Sequence, residues 1–189
     1  MRETRQWNAN RMLIGLILLV CCIWMAGCAS GTDENGSKIS EDGRSYGGTV
    51  EGTEGETVST AFFKLTVDET RRQDTCSFAD GLYQAVSGQT YLIVTLTIEN
   101  TYEQDLSMSV TDFTLDYEGN EAEEVILGYG RSELDQPEFM EDVFTLKKGE
   151  SVTGSILYMV PQKDAYQLCY REYYEDAFEG DQFVIALPQ

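Results

Sequence analysis

The chain of 189 residues carries 33 acidic against 13 basic side chains, a formal charge of −20 at pH 7, with 42% hydrophobic residues. So acidic a protein repels phosphate backbones and anionic headgroups and lacks a basic patch, which argues against nucleic acid as a partner. The sequence has no His, so Ser–His and Cys–His nucleophiles, His-ligated zinc and imidazole acid–base chemistry are excluded, and no cofactor is implied.

Arg2, Arg5 and Arg11 precede an apolar run from Met12 to Met25, which is long enough for a signal h-region but short for a spanning helix. Met25-Ala26-Gly27-Cys28 closes the run. This is the layout of a bacterial lipoprotein leader, in which small Ala26 and Gly27 admit a signal peptidase and the Cys28 thiol carries diacylglycerol. One acyl chain binds a bilayer only marginally, so a diacylated or triacylated Cys28 is what holds the protein to membrane lipid. An uncleaved transmembrane anchor is the alternative, and either places the folded part at the extracytoplasmic face. Residues 1–27 are therefore read as a signal peptide; they hold three Arg and one Glu, so the remainder carries a formal charge of −22. The remainder has no Trp, and its only thiols besides Cys28 are Cys76 and Cys169.

From Ala29 to about Glu56 the chain is Gly, Ser, Thr, Asp and Glu with hardly an apolar residue. Such a segment buries too little surface to fold, so residues 28–56 are expected to form the lipidated Cys28 and a flexible acidic linker, followed by a domain over 57–189. Asp33-Glu34-Asn35-Gly36-Ser37 superficially suggests a calcium loop, but Lys38 stands at the Gly position and Arg44 at the bidentate Glu position.

From Thr57 the hydrophobic period becomes two. Phe63, Leu65 and Val67 alternate with Lys64 and Thr66, and Leu92, Val94, Leu96 and Ile98 with Ile93, Thr95 and Thr97. The alternation recurs in 113–117, 152–160, 166–170 and 183–187. These segments are rich in β-branched and aromatic residues and read as six strands with one inward face each. Turn signals fall between them at Ser87-Gly88, Glu99-Asn100, Glu118-Gly119-Asn120, Lys148-Gly149-Glu150, Pro161 and Glu179-Gly180-Asp181. Asn100 and Asp112 read as turn formers, and Gly154 inside a strand as a bulge or a close approach by a neighbouring chain. Residues 121–144 are weakly patterned and predict a long loop with a short helix or edge strand. Short strands, regular turns and no parallel βαβ pattern predict a single all-β domain, an antiparallel β-sandwich, with a barrel as the alternative.

Phe62-Phe63-x-Leu65-x-Val67, the run from Gly88 to Asn100, Thr111-Asp112-Phe113-x-Leu115, and Leu146-Lys147-Lys148-Gly149-Glu150-Ser151-Val152-x-Gly154 with Val160-Pro161 occur in that order. Together they resemble a Gram-positive bacterial lipoprotein with a domain of unknown function. The resemblance spans Thr57 to Leu187 and implies an immunoglobulin-like sandwich preceded by a leader and an acidic linker. It implies no catalytic residue.

Two clusters are candidates for binding. Glu118, Glu121, Glu123 and Glu124 crowd one loop; oxygen ligands suit calcium or magnesium, yet no ligand spacing is recognisable and a solvated acidic loop is the simpler reading, so no metal site is assigned. Tyr170, Tyr173 and Tyr174, among Glu172, Glu175, Asp176, Glu179 and Asp181, could meet a basic envelope protein or a cationic polymer, because Tyr offers large contact area at low entropy cost. Their alternative is a strand whose inward tyrosines pack the core. Cys76 and Cys169 are either bridged, which the extracytoplasmic space permits, or two separate thiols. A non-enzymatic binding or protein-interaction module is the leading function. An inhibitor or chaperone acting through a strand edge, and a carboxylate-based glycan hydrolase, are the rivals.

Overall fold

The computed structural model describes residues 34–118, 120, 125–134 and 136–188. The leader, Cys28, and Glu121, Glu123 and Glu124 of the acidic loop lie outside the described residues. The strands run β1 (Lys38–Ile39), β2 (Ser45–Tyr46), β3 (Thr49–Thr53), β4 (Thr57–Ser59), β5 (Phe63–Gln73), β6 (Thr75–Phe78), β7 (Gly81–Gln84) and β8 (Gln89–Asn100). After β9 (Leu106–Ser109) and a 3-10 turn at Val110–Asp112 come β10 (Phe113–Tyr117), β11 (Ile126–Leu127) and a one-turn helix α1 (Arg131–Leu134). The chain closes with β12 (Val143–Leu146), β13 (Ser151–Pro161), β14 (Tyr166–Tyr173) and β15 (Glu179–Leu187). All six alternating segments are strands.

Two sheets make the sandwich, one in the order β11-β10-β14-β15-β3 and the other β13-β8-β5-β4, with β12-β9 as a two-stranded flank. Two open sheets with distinct ends settle the architecture as an immunoglobulin-like sandwich, not a barrel. The period-two residues meet between the sheets: Phe63, Leu65, Leu92, Leu96, Ile98, Phe113, Ile156, Tyr158, Tyr166 and Leu168 are all fully buried. The two core tyrosines keep partners, as buried hydroxyls must. The Tyr158 hydroxyl donates across the sandwich to the Phe113 carbonyl at 3.0 Å. The Tyr166 hydroxyl donates to the Pro161 carbonyl at 2.6 Å and accepts from the Lys163 amide at 3.1 Å. This fixes the corner between β13 and β14 in the manner of the tyrosine corner of immunoglobulin domains.

Two expectations about the course of the chain change. The stretch read as a linker is folded from Glu34 onward: β3 pairs with β15 in parallel register, from Thr49 opposite Gln182 to Thr53 opposite Ala186. An edge strand is held by main-chain bonds and needs little apolar surface of its own, and Gly52 admits Val58, whose Cγ1 stands 2.8 Å from where a Cβ would lie. The connection containing Cys76 is the β6–β7 hairpin. With α1 it covers Tyr91, Ile93 and Leu157 on the outer face of the second sheet, forming a separate apolar cluster with Cys76, Leu134 and Phe139. Glu179-Gly180-Asp181 is not a turn but the start of β15. The chain reverses instead at 174–178, where the Tyr174 amide donates to the Phe178 carbonyl at 3.0 Å and Ala177 adopts a left-handed φ of 62°.

Of the two readings of the cysteines, the structure has the separate thiols. Cys76 lies in the cluster outside the second sheet, whereas Cys169 is on β14 of the first sheet, out of phase with core-facing Leu168 and Tyr170, and both are free. The packed layers separate them, so the bridge fails on geometry. Burial pushes the Cys169 thiol up to about 11 and raises that of Cys76. Gly154 is a close-approach position: a Cβ would stand 2.7 Å from Met140 Cγ, and its ladder to β8 is unbroken.

Candidate functional site

The side chains of β10 and β14 that point away from the core, with the loops at one end of the sandwich, enclose a groove of about 1060 Å³. Thr114, Cys169 and Arg171 line it, together with the core-edge rings of Phe62, Phe63 and Tyr170. One wall is the segment from Tyr102 through β9, and the other is the 174–178 turn.

Each wall is set by local chemistry. Asn100, buried at the end of β8, donates through its amide to the Gln104 carbonyl at 2.9 Å and the Leu146 carbonyl at 2.8 Å, while its oxygen accepts from the Tyr102 amide at 2.8 Å. One side chain thus folds the loop that carries Tyr102 and Asp105. Asp112 caps the turn after β9, accepting from the Ser109 amide at 2.7 Å, and burial raises its carboxyl above the ordinary value. Both behave as the turn formers their sequence suggests.

The opposite wall is braced by the stretch expected to be linker. Arg44, between β1 and β2, donates to both carboxylate oxygens of Asp176 at 2.9 Å and pairs with Asp42 at 2.7 Å. Its guanidinium stands 4.0 Å from the Phe178 ring centroid and 4.9 Å from that of Tyr174. These bonds hold the Asp176 carboxyl below its usual range and bring Asp42 to about 2.

Behind the turn lie two buried acids with no cation paired to them among the described residues. Asp181 accepts from the Ser37 hydroxyl at 2.9 Å, the Gly48 amide at 2.7 Å and the Ser45 hydroxyl. Glu172 accepts from the Ala61 amide at 2.6 Å and the Asp181 amide at 3.3 Å, and burial raises its carboxyl. A pair of acids in unlike environments is what a carboxylate hydrolase would use. Here their oxygens are spent on amides and hydroxyls: Asp181 lashes the 34–48 segment to β15, and Glu172 ties the Ala61 and Asp181 amides to β14.

The three sequence-predicted tyrosines separate. Tyr170 faces inward, 4.8 Å from the Phe63 ring and 5.7 Å from that of Phe113, so most of its ring packs in the core and only its edge reaches the lining of the groove. Tyr174 is half-buried at the groove's end, packed edge-on to Phe62 and Phe178. Tyr173 is 60% exposed. Glu118 is exposed, and no group of three metal-ligating side chains occurs among the described residues. The sequence reading missed Tyr102, Asp105 and Arg44, which are far apart in the chain and carry no local pattern. It also missed Leu82 and Val86 by the β6–β7 hairpin, 70% and 60% exposed.

With the fold and groove described, comparison with known proteins places the domain. The family model described as Domain of unknown function (DUF4352) matches residues 52–181, more than half of the chain. The chain belongs to the DUF4352 family. Among solved structures, the yjhA protein of Bacillus subtilis is similar with a TM-score of 0.55 at 18% identity, covering 72% of this chain and 99% of that one. A Bacillus subtilis protein described as a proposed lipoprotein, ycdA, gives a TM-score of 0.51 at 20% identity over 68% of this chain and 38% of that one. A functionally unknown Listeria monocytogenes protein gives 0.51 at 10% identity, covering 72% of this chain and 82% of that one. At these identities the likenesses speak for the fold. No curated protein matches the chain.

Proposed function

We propose that the protein is a lipid-anchored extracytoplasmic binding module that takes up an envelope partner in the groove between β9 and the 174–178 turn. The anchor is Cys28, read from the leader. The ycdA likeness, to a proposed lipoprotein, is consistent with that reading. The observation that carries the binding assignment is the groove of about 1060 Å³, at the top of the range of about 300–1,000 Å³ usual for small-molecule clefts. Its walls are held by Asn100 and Arg44 instead of being left to a free loop, which is the pre-organisation that recognition rewards.

Photo-crosslinking in intact host cells tests the site. A photoreactive residue at Tyr173 should give a discrete adduct, while the same residue at Met159, 39% exposed on the other sheet, should not. Equal adducts from both positions, or none from Tyr173, would remove the groove from the account. Fatty-acid labelling abolished by Cys28→Ala tests the anchor independently.

A further inference from the structure

We infer that the groove recognises an extended peptide segment presenting a basic side chain beside an aromatic one, a reading that rests on the groove being the binding site.

Charge is the first argument. Asp105, Asp112, Glu175 and Asp176 line the groove against Arg44 and Arg171. Arg44 is already shared between Asp42 and Asp176, and Arg171 donates to the Gln182 side chain at 2.7 Å. Asp105 and Glu175, one on each wall, are exposed and belong to no ion pair among the described residues. A basic side chain would complete them, whereas a neutral glycan would leave both walls uncompensated.

The chain itself displays the chemistry. At the groove's end the Arg44 guanidinium is held between two rings and a bidentate carboxylate, which shows that this surface accommodates a planar cation. Tyr173, exposed beside it, makes no ring contact among the described residues and leaves a face for an aromatic partner.

Backbone geometry supplies the extended shape. β9 pairs only with β12 among the described residues. Val110 donates to the Asp142 carbonyl at 3.0 Å, so in the alternating antiparallel ladder Met108 and Leu106 carry the bonds toward β12. Ser107, which lines the groove, therefore directs its main-chain groups to the open edge, where an extended segment can pair.

Fluorescence anisotropy of the domain beginning at Glu34 tests this with four probes: peptides alternating Lys with Tyr, Glu with Tyr, or Ser with Tyr, and a hexamer of N-acetylglucosamine. The Lys–Tyr peptide is expected to bind one to one. Tyr173→Ala and the double variant Asp105→Asn/Glu175→Gln should each weaken it about tenfold. The charge-matched control Glu51→Gln/Glu69→Gln, away from the groove, should stay within about twofold. Equal weakening by both double variants would reduce the binding to general charge attraction and overturn the inference, as would no binding of the Lys–Tyr peptide. Binding of the Ser–Tyr peptide or the sugar instead, lost in Tyr173→Ala, would overturn the cationic chemistry while leaving the groove as the site.

Discussion

Asp181→Ala should loosen the N-terminal segment that braces the groove. In the wild type one buried carboxylate collects the Ser37 and Ser45 hydroxyls and the Gly48 amide. Hydrogen bonds to a charged group are worth about 1.5–3 kcal/mol each. The gross loss from three bonds is offset by relief of Asp181's own burial, since the residue is only 6% exposed and has no paired cation among the described residues. Ser45 can also turn to water, whereas Ser37, 1% exposed, and the Gly48 amide cannot without unlatching the segment. The balance is a destabilisation of about 2–4 kcal/mol. Urea unfolding of the domain beginning at Glu34 measures it, and trypsin cleavage after Arg44 reports the local opening. A free energy within about 0.5 kcal/mol of wild type, with Arg44 still protected, would refute the assignment of Asp181 as the fastener.

Glu172 has a folded-state pKa raised above its ordinary value of 4.5 by burial, so the native state binds that proton more tightly than the unfolded chain. Its contribution is complete below the ordinary value and is lost as pH rises through the folded one. Stability of the wild type should therefore fall, as pH rises above the ordinary value of 4.5, more steeply than that of Glu172→Gln, and parallel curves would contradict this. Tyr166→Phe removes the hydroxyl that joins Pro161 and Lys163, and should cost about 1–3 kcal/mol in chemical denaturation. No loss would show the corner to be ornamental. For the thiols, mass measurement of unreduced, denatured exported protein should show both Cys76 and Cys169 alkylated, with Cys169 slow in the native protein because its thiol is pushed up to about 11. A mass two hydrogens light, with neither thiol alkylated, would restore the bridge.

The strands of the two main sheets were legible wherever one face is apolar and the other polar. Period two placed β5, β8, β10, β13, β14 and β15, and Asn100 and Asp112 announced their turns by residue type. What escaped the sequence is held by main chain or by distant polar partners. β3 joins the sheet through parallel backbone pairing with hardly an apolar side chain, and its neighbour segment is tied down by Asp181, 144 residues from Ser37. Gly180 looked like a turn glycine, yet its role is to make room for Glu172, whose Oε2 would lie 2.4 Å from an added Cβ. Period two carried on from core-facing Tyr170 turns Glu172 inward and Tyr173 outward, as found, while the partners of Tyr174 come from the 174–178 turn and from Phe62, which is distant in sequence.

Amide hydrogen exchange of the domain mixed with solubilised envelope from its host tests the binding assignment most directly. Slowed exchange over 104–108 and 171–176, absent in Tyr173→Ala, is the predicted result. Exchange unchanged there, or slowed only around Leu82 and Val86 at the β6–β7 hairpin, would contradict the groove as the site of recognition.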